Sequence, residues 1–271
     1  MADTAQAQQT PVVMTFSGLD PSGGAGIQAD IEALASVGCH AAPVATAITV
    51  QDTRDVSRVE SIAPELVSAQ ARAVLADLPV AAFKIGLLGS AAVADTVRAL
   101  LADHPDLPVV LDPITAAGGG AELAGEALLR AMRELLPRIT VATPNSLEAR
   151  HLAPDGSELD ACAAWLLARG CDWVLVTGTH EADDQVTNRL YGDAGLVDTL
   201  TWPRLDHDYH GSGCTLAAAI AGLLAHGQDP RSAVASAQAY AWESLSHGHR
   251  PGRGQHLPDR FFWAPSARGL R

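Results

Sequence analysis

From residue 12 to residue 177, short apolar runs alternate with longer helix-patterned segments, and this alternation restricts the fold more than any other feature. Residues 12–16, 43–50, 81–87, 109–111, 139–142 and 173–177 read as strands. Residues 27–37, 64–78, 91–102, 122–136 and 159–168 read as the helices between them. Such a repeat demands a parallel sheet with helices on both faces, because each right-handed crossover carries the chain back to the same edge. The pattern changes after 177. Residues 189–191 and 196–202, joined by Gly192-Asp193-Ala194-Gly195, read as an antiparallel hairpin, and helices resume at 214–225 and 230–246.

In an open sheet of this kind, ligands bind beyond the carboxyl ends of the strands. Asp20, Gln51, Asp52, Asp112 and Asn145 each follow a strand and are expected to gather on that edge. A second feature points to the same place. The run Tyr209-His210-Gly211-Ser212-Gly213-Cys214-Thr215 leads directly into an alanine-rich helix. Its glycines let the backbone turn sharply, so the unpaired N–H groups of the first helical turn converge on one point that favours an anion. Cys214 shares that field, which predicts a thiol pKa below the usual value of about 8.5. The same residues also fit a plain loop followed by a small buried thiol.

Composition narrows the function. The chain has 271 residues, 48% of them apolar, and no composition break, which suits one compact domain over 12–271 behind a flexible N-terminus at 1–11. A net charge of −13 argues against a nucleic-acid binder, which needs clustered Lys and Arg. Lys84 is the chain's sole lysine, so a bound phosphate must be met mainly by helix termini, metal or arginine. Cys39, Cys162, Cys171 and Cys214 follow no metal-binding or disulfide spacing, and no apolar run reaches membrane-spanning length; a cytoplasmic protein without a membrane partner is expected. The segment Gly24-Ala25-Gly26-Ile27-Gln28-Ala29 satisfies GxGxxA, yet the seven residues between Phe16 and Gly24 spoil the tight turn that a dinucleotide fingerprint needs. A Walker-type GxxxxGK[ST] is absent from the sequence.

Five stretches stand in order along the chain: Gly18-Leu19-Asp20-Pro21-Ser22-Gly23-Gly24-Ala25-Gly26, Lys84-Ile85-Gly86-Leu87-Leu88, Asp112-Pro113-Ile114, Thr143-Pro144-Asn145-Ser146-Leu147-Glu148 and His210-Gly211-Ser212-Gly213-Cys214-Thr215. Taken together they closely resemble the hydroxymethylpyrimidine/phosphomethylpyrimidine kinases of thiamine biosynthesis, members of the ribokinase-like superfamily. The resemblance runs from about residue 12 to residue 250 in order and spacing. It implies a three-layer α/β fold with a mostly parallel central sheet and an antiparallel hairpin near the nucleotide site. It also implies ATP- and Mg2+-dependent phosphorylation of 4-amino-5-hydroxymethyl-2-methylpyrimidine and then of its monophosphate, by a homodimer. By position, Cys214 would be the base, with Gly211, Ser212 and Gly213 supplying N–H groups to the moving phosphoryl. Asp30 and Gln51 would read the aminopyrimidine edge, with Gly18, Ala25, Leu87 and Ile114 as walls. Asn145, Thr177, Gly178 and Thr179 would border the nucleotide, and Glu148 and Asp112 would hold magnesium largely through water.

Departures from the family pattern matter. Val176-Thr177-Gly178-Thr179-His180 has a threonine where many members carry a lysine, so either an arginine such as Arg189 substitutes or the second phosphorylation weakens. Gln51-Asp52-Thr53 carries Asp where Asn is frequent, and Leu87 stands where Met is common. Two alternatives follow. One is a pyridoxal kinase, whose substrate also bears a hydroxymethyl group on a flat heteroaromatic ring; the other is a catalytically weak ligand-binding or regulatory protein on the same scaffold.

Overall fold

The computed structural model describes residues 10–115, 124–153, 158–181 and 184–265. The strands are β1 (Val12–Leu19), β2 (His40–Gln51), β3 (Val56–Ser61), β4 (Val80–Ile85), β5 (Val109–Leu111), β6 (Val141–Ala142), β7 (Trp173–Val176), β8 (Gln185–Gly192) and β9 (Gly195–Pro203). They form a single sheet in the order β3-β2-β1-β4-β5-β6-β7-β8-β9. The stretch from β2 to β7 is parallel, as the alternation demands. Both margins are antiparallel: β3 returns along β2, and the β8–β9 hairpin folds back on β7.

The helices are α1 (Gly26–Ser36), α2 (Pro64–Asp77), α3 (Ala91–Ala102), α4 (Glu126–Leu135), α5 (Ser146–Leu152), α6 (Leu159–Leu167), α7 (Ser212–Ala225) and α8 (Pro230–Ser246). They divide between the two faces by the alternation of strand side chains. Met14, Phe16, Phe83, Ile85 and Leu111 meet buried residues of α2 to α6. Val13, Ala82, Val110 and Leu175 point the other way, onto α1, α7 and α8. The alanine run of α7 is buried along nearly its whole length, which lets the helix lie close against the centre of the sheet.

Several boundaries differ from the sequence reading. β3 and α5 lie where no element was expected, β2 begins at His40 rather than Pro43, and β8 extends back to Gln185. The start of the helix expected over 122–136 falls partly outside the described residues, and α4 is seen from Glu126. No helix among the described residues is long and apolar enough to cross a membrane.

Candidate active site

The carboxyl edge of the parallel strands collects two helix starts. Gly211 caps α7 with φ +86°, in the left-handed region that favours glycine, and a Cβ there would lie 1.9 Å from the Gly24 carbonyl oxygen. α7 has no side-chain cap, so the N–H groups of its first turn remain open to an anion. α1 likewise starts without a side-chain cap, and the Gly26 N–H donates to Cys214. A Cβ on Gly26 would come 2.1 Å from the Gly18 carbonyl oxygen, so the loop reaches this approach only with glycine.

Beneath Cys214 lies a buried charge cluster. Lys84 Nζ is 2.9 Å from Asp30 Oδ1, and neither side chain is exposed at all. The Ser17 hydroxyl donates to the other Asp30 oxygen, and Lys84 Nζ lies 3.5 Å from the same hydroxyl. Gly86 makes this possible, since a Cβ there would sit 2.6 Å from Lys84 Nζ. Burial alone would lower the Lys84 pKa, but Asp30 foremost, then Cys214 and Asp112, hold it above its ordinary value. The Cys214 thiol, which donates to Asp112, is pushed up to about 12, first by burial and then by Asp112 and Asp30 against the opposing pull of Lys84. This corrects the expectation of a lowered thiol pKa: at this helix start, desolvation and two carboxylates outweigh the lysine and the Gly26 N–H.

Asp30, expected at the substrate edge, is fully buried, engaged by Lys84 and Ser17, and close enough to act on Cys214 and Asp112. Gln51 does reach the site: its Nε2 lies 3.0 Å from His210 Nε2, which in turn is 2.8 Å from Asp20 Oδ2. Asp20 also accepts from the Ser22 and Ala25 N–H groups at 2.8 Å. Burial pushes the Asp20 carboxyl up, yet His210 and those donors outweigh it and hold the group below the usual carboxylate range. Asp52 turns away and folds its own 52–55 turn with Arg54 and Asp55. Gly18 packs on Leu87, where a Cβ would meet the Leu87 side chain at 2.9 Å, and Ile114 follows Asp112 on the loop after β5.

On the neighbouring side, Asn145 caps α5 by accepting from the Leu147 and Glu148 N–H groups at 3.0 and 2.9 Å, while Glu148 accepts from the Asn145 N–H at 2.9 Å. This capping box occupies the Asn145 side-chain oxygen. Asp112 Oδ2 is buried without a hydrogen-bond partner, and burial first, then Asp30, raises the Asp112 pKa against Lys84 and the Cys214 thiol. The Glu148 carboxyl is pushed up to about 8, first by burial and then by Asp112. Two acids that raise their own neighbourhood's need for positive charge, one with an orphaned oxygen, suit a hard divalent cation. Among the described residues no group of three or more His, Cys, Asp or Glu could hold a metal by itself, so a magnesium ion here would keep waters and share phosphate oxygens.

The raised Glu148 pKa has a testable sign. Between its unfolded value near 4.5 and about 8, the folded protein holds a proton that the unfolded chain has released, so stability falls as pH rises through that window. Without magnesium, Glu148→Gln is expected to be more stable than the parent at pH 8 by on the order of 1–2 kcal/mol, and no more stable at pH 4.5. Urea denaturation at the two pH values reads the difference; an equal offset at both would contradict the assignment.

Thr177, Gly178 and Thr179, expected beside the nucleotide, follow the end of β7. Thr177 bridges to Asn145, the Gly178 N–H donates to Asn188 Oδ1 at 3.1 Å, and the Thr179 carbonyl accepts from Arg204 at 2.9 Å. Arg189 pairs in register with Val176 and contacts Tyr191. Its register with Val176 puts it on the face of the sheet that also carries Tyr191. Arg204, His210 and Lys84 are contributors that sequence reasoning did not assign. For Lys84 a signal existed: a lone lysine inside the apolar run Ala81-Ala82-Phe83-Lys84-Ile85 is a buried charge that requires a partner. A surface cleft lined by Pro105, Asp106, Arg138 and Asp172 lies at the amino ends of β5 to β7, remote from this edge.

An anion-accepting helix start facing buried carboxylates across a parallel sheet edge is the working arrangement of a phosphotransferase, and with this strand order the fold is ribokinase-like. The chain belongs to the phosphomethylpyrimidine kinase family, whose model matches residues 20–259. It is 42% identical over 250 residues to hydroxymethylpyrimidine/phosphomethylpyrimidine kinase of Streptomyces coelicolor, covering 90% of this chain and 92% of the relative. Among solved structures it is similar to phosphomethylpyrimidine kinase from Clostridium difficile 630, with a TM-score of 0.75 and 29% identity over 87% of this chain and 100% of the other. It is also similar to pyridoxal kinase from Staphylococcus aureus in complex with pyridoxal, with a TM-score of 0.86 and 26% identity over 95% and 96% of the two chains.

Proposed function

We propose that this protein is an ATP- and Mg2+-dependent kinase that phosphorylates 4-amino-5-hydroxymethyl-2-methylpyrimidine and then its monophosphate, giving the pyrimidine diphosphate for thiamine biosynthesis. The observation that carries the reading is the uncapped start of α7 with Cys214 held between Gly26, Asp112 and Lys84. The N–H groups of Ser212, Gly213 and Cys214 receive the oxygens of the transferring phosphoryl, and Gly211 provides the turn that aims them. Cys214 accepts the proton of the attacking hydroxyl only as its thiolate, after its own proton has left for solvent once bound ligands lower the raised thiol pKa. Magnesium, with Asp112 and Glu148 holding it through water, would neutralise phosphate charge and offset the carboxylates that oppose a thiolate.

Because Asp30 is engaged by Lys84 and Ser17, the Gln51 amide beside His210 is the group that meets the 4-amino edge. Gly18, Ala25, Leu87 and Ile114 offer surface for the ring and methyl. Asn145, Thr177, Gly178 and Thr179 border ATP, with Arg204 bracing their loop. Four free cysteines suit a reducing cytoplasm. Exposed Leu19, Ile48 and Val50 on adjoining ends of β1 and β2 supply apolar surface that a homodimer would cover.

The close structural likeness to a pyridoxal kinase favours one alternative, a kinase of pyridoxal. Measuring kcat/KM for both substrates with Mg-ATP separates the two. A pocket built to pair the 4-amino group is expected to prefer the pyrimidine by about 10² or more. Preference for pyridoxal would overturn the reading, as would failure to phosphorylate either substrate.

A further inference from the structure

Past α8 the chain crosses back over the site, and one side chain from that segment enters it. Arg260 is 2% exposed although it lies near the end of the described residues. Its guanidinium makes three contacts with three separate parts of the fold. Nε donates to the Thr215 hydroxyl at 2.9 Å, in the first turn of α7. Nη1 donates to Glu32 of α1 at 2.9 Å, and Nη2 donates to the carbonyl oxygen of Gly24 in the glycine-rich loop.

The contacts converge on the anion turn. Thr215 passes the connection on by donating to the Gly211 carbonyl at 2.7 Å, and Gly24 is the residue whose carbonyl fills the space beside Gly211. The segment that carries Arg260 is itself fastened to α8. The Tyr240 hydroxyl donates to the Arg260 carbonyl at 2.9 Å, and the Asp259 N–H donates to the Ser244 carbonyl at 2.9 Å. A planar guanidinium with donors in fixed directions can hold three acceptors at once, whereas an ammonium on a flexible stem cannot impose that geometry.

We propose that Arg260 is a positioning residue: it locks the glycine-rich loop of 20–26 against the first turn of α7, and so sets where the phosphoryl-binding N–H groups point. The residue lies one position beyond the stretch matched by the family model. It touches no reacting atom and acts through Thr215 and Gly24. Its kinetic consequence rests on the kinase reading above; its structural consequence does not.

Hydrogen–deuterium exchange on the full chain without substrate tests the clamp directly. Arg260→Lys is expected to speed amide exchange about tenfold or more in both 22–26 and 215–218, whose amides are hydrogen-bonded from Thr215 on, as loss of charge-assisted hydrogen bonds implies, with α2 to α6 unchanged. Unchanged exchange in either segment, or faster exchange spread evenly over the molecule, would overturn the proposal. Should Arg260→Lys fail to fold, Glu32→Gln serves: Glu32 is 42% exposed and outside the reaction machinery. It weakens one arm, and a smaller increase, about threefold, is expected in the same two segments, with no increase there overturning the proposal. In the kinase assay, Arg260→Lys should lower kcat about tenfold or more while leaving the pyrimidine KM within about threefold, because the turn is mis-aimed while Gly18, Leu87 and Ile114, three of the four walls, lie outside the loosened loop. An unchanged kcat would remove the positioning role. A parent protein that fails to phosphorylate the pyrimidine would sink the functional reading while the exchange result stands.

Discussion

Lys84→Met is expected to destabilise the protein by about 3–5 kcal/mol, the cost of leaving a buried charge without its partner. Asp30 is wholly buried, and its ion pair with Lys84 at 2.9 Å is one of only a few positive influences around three acidic groups. Methionine fills a similar volume, so the loss measures charge rather than packing. The companion variant settles the cause. Lys84→Met combined with Asp30→Asn should recover about half or more of the loss, because the double variant removes both charges of the pair. Urea denaturation of the four proteins closes the cycle. If Lys84→Met proves as stable as the parent, the buried cluster is not organised as described.

The largest kinetic effect is expected at Cys214. Cys214→Ser changes one atom in a buried position, so folding and the pyrimidine KM should stay close to those of the parent. Turnover should fall by about 10² or more, the usual scale for losing a positioned base. With the thiol pushed up to about 12 in the ligand-free protein, serine worsens a balance that is already tilted toward the protonated form. A fall in kcat with KM unmoved fits the base role. Full activity in the variant removes Cys214 from it, and a raised KM with kcat intact reduces Cys214 to a wall of the pocket.

Much of the fold was legible in the sequence because buried parallel strands and amphipathic helices differ strongly in period. What escaped was the margin of the sheet. β3 is short, mostly exposed and polar, with the pattern Val56-Ser57-Arg58-Val59-Glu60-Ser61, and it becomes a strand only because β2 offers an open edge. α5 escaped because it has seven residues, too few for a periodic signal, although its capping box Asn145-Ser146-Leu147-Glu148 stood in the sequence.

In the site, the anion turn was readable from Gly211-Ser212-Gly213 and its helix, and of the acids after the strands Asp20 and Asp112 gather there while Asp52 does not. Partnerships were not readable. The contact of Gln51 with His210 spans 159 residues, that of His210 with Asp20 spans 190, and that of Arg260 with Gly24 spans 236. The sequence carries no local trace of such pairs. Asp30 illustrates the cost: the family resemblance makes this acid of α1 a substrate contact, and only the folded chain reveals its ion pair with Lys84. The thiol pKa failed for a related reason, since helix position is local while burial and neighbouring carboxylates are not.

The central claim is that phosphoryl transfer takes place at the start of α7, and a crystal structure of the protein with the pyrimidine, magnesium and a non-hydrolysable ATP analogue tests it most directly. The account predicts the terminal phosphate on the N–H groups of Ser212, Gly213 and Cys214, with the substrate hydroxyl beside the Cys214 sulfur and the metal between that phosphate and Asp112. A terminal phosphate bound away from α7, or a pyrimidine seated outside the cleft of Gly18, Gln51 and Leu87, would contradict it.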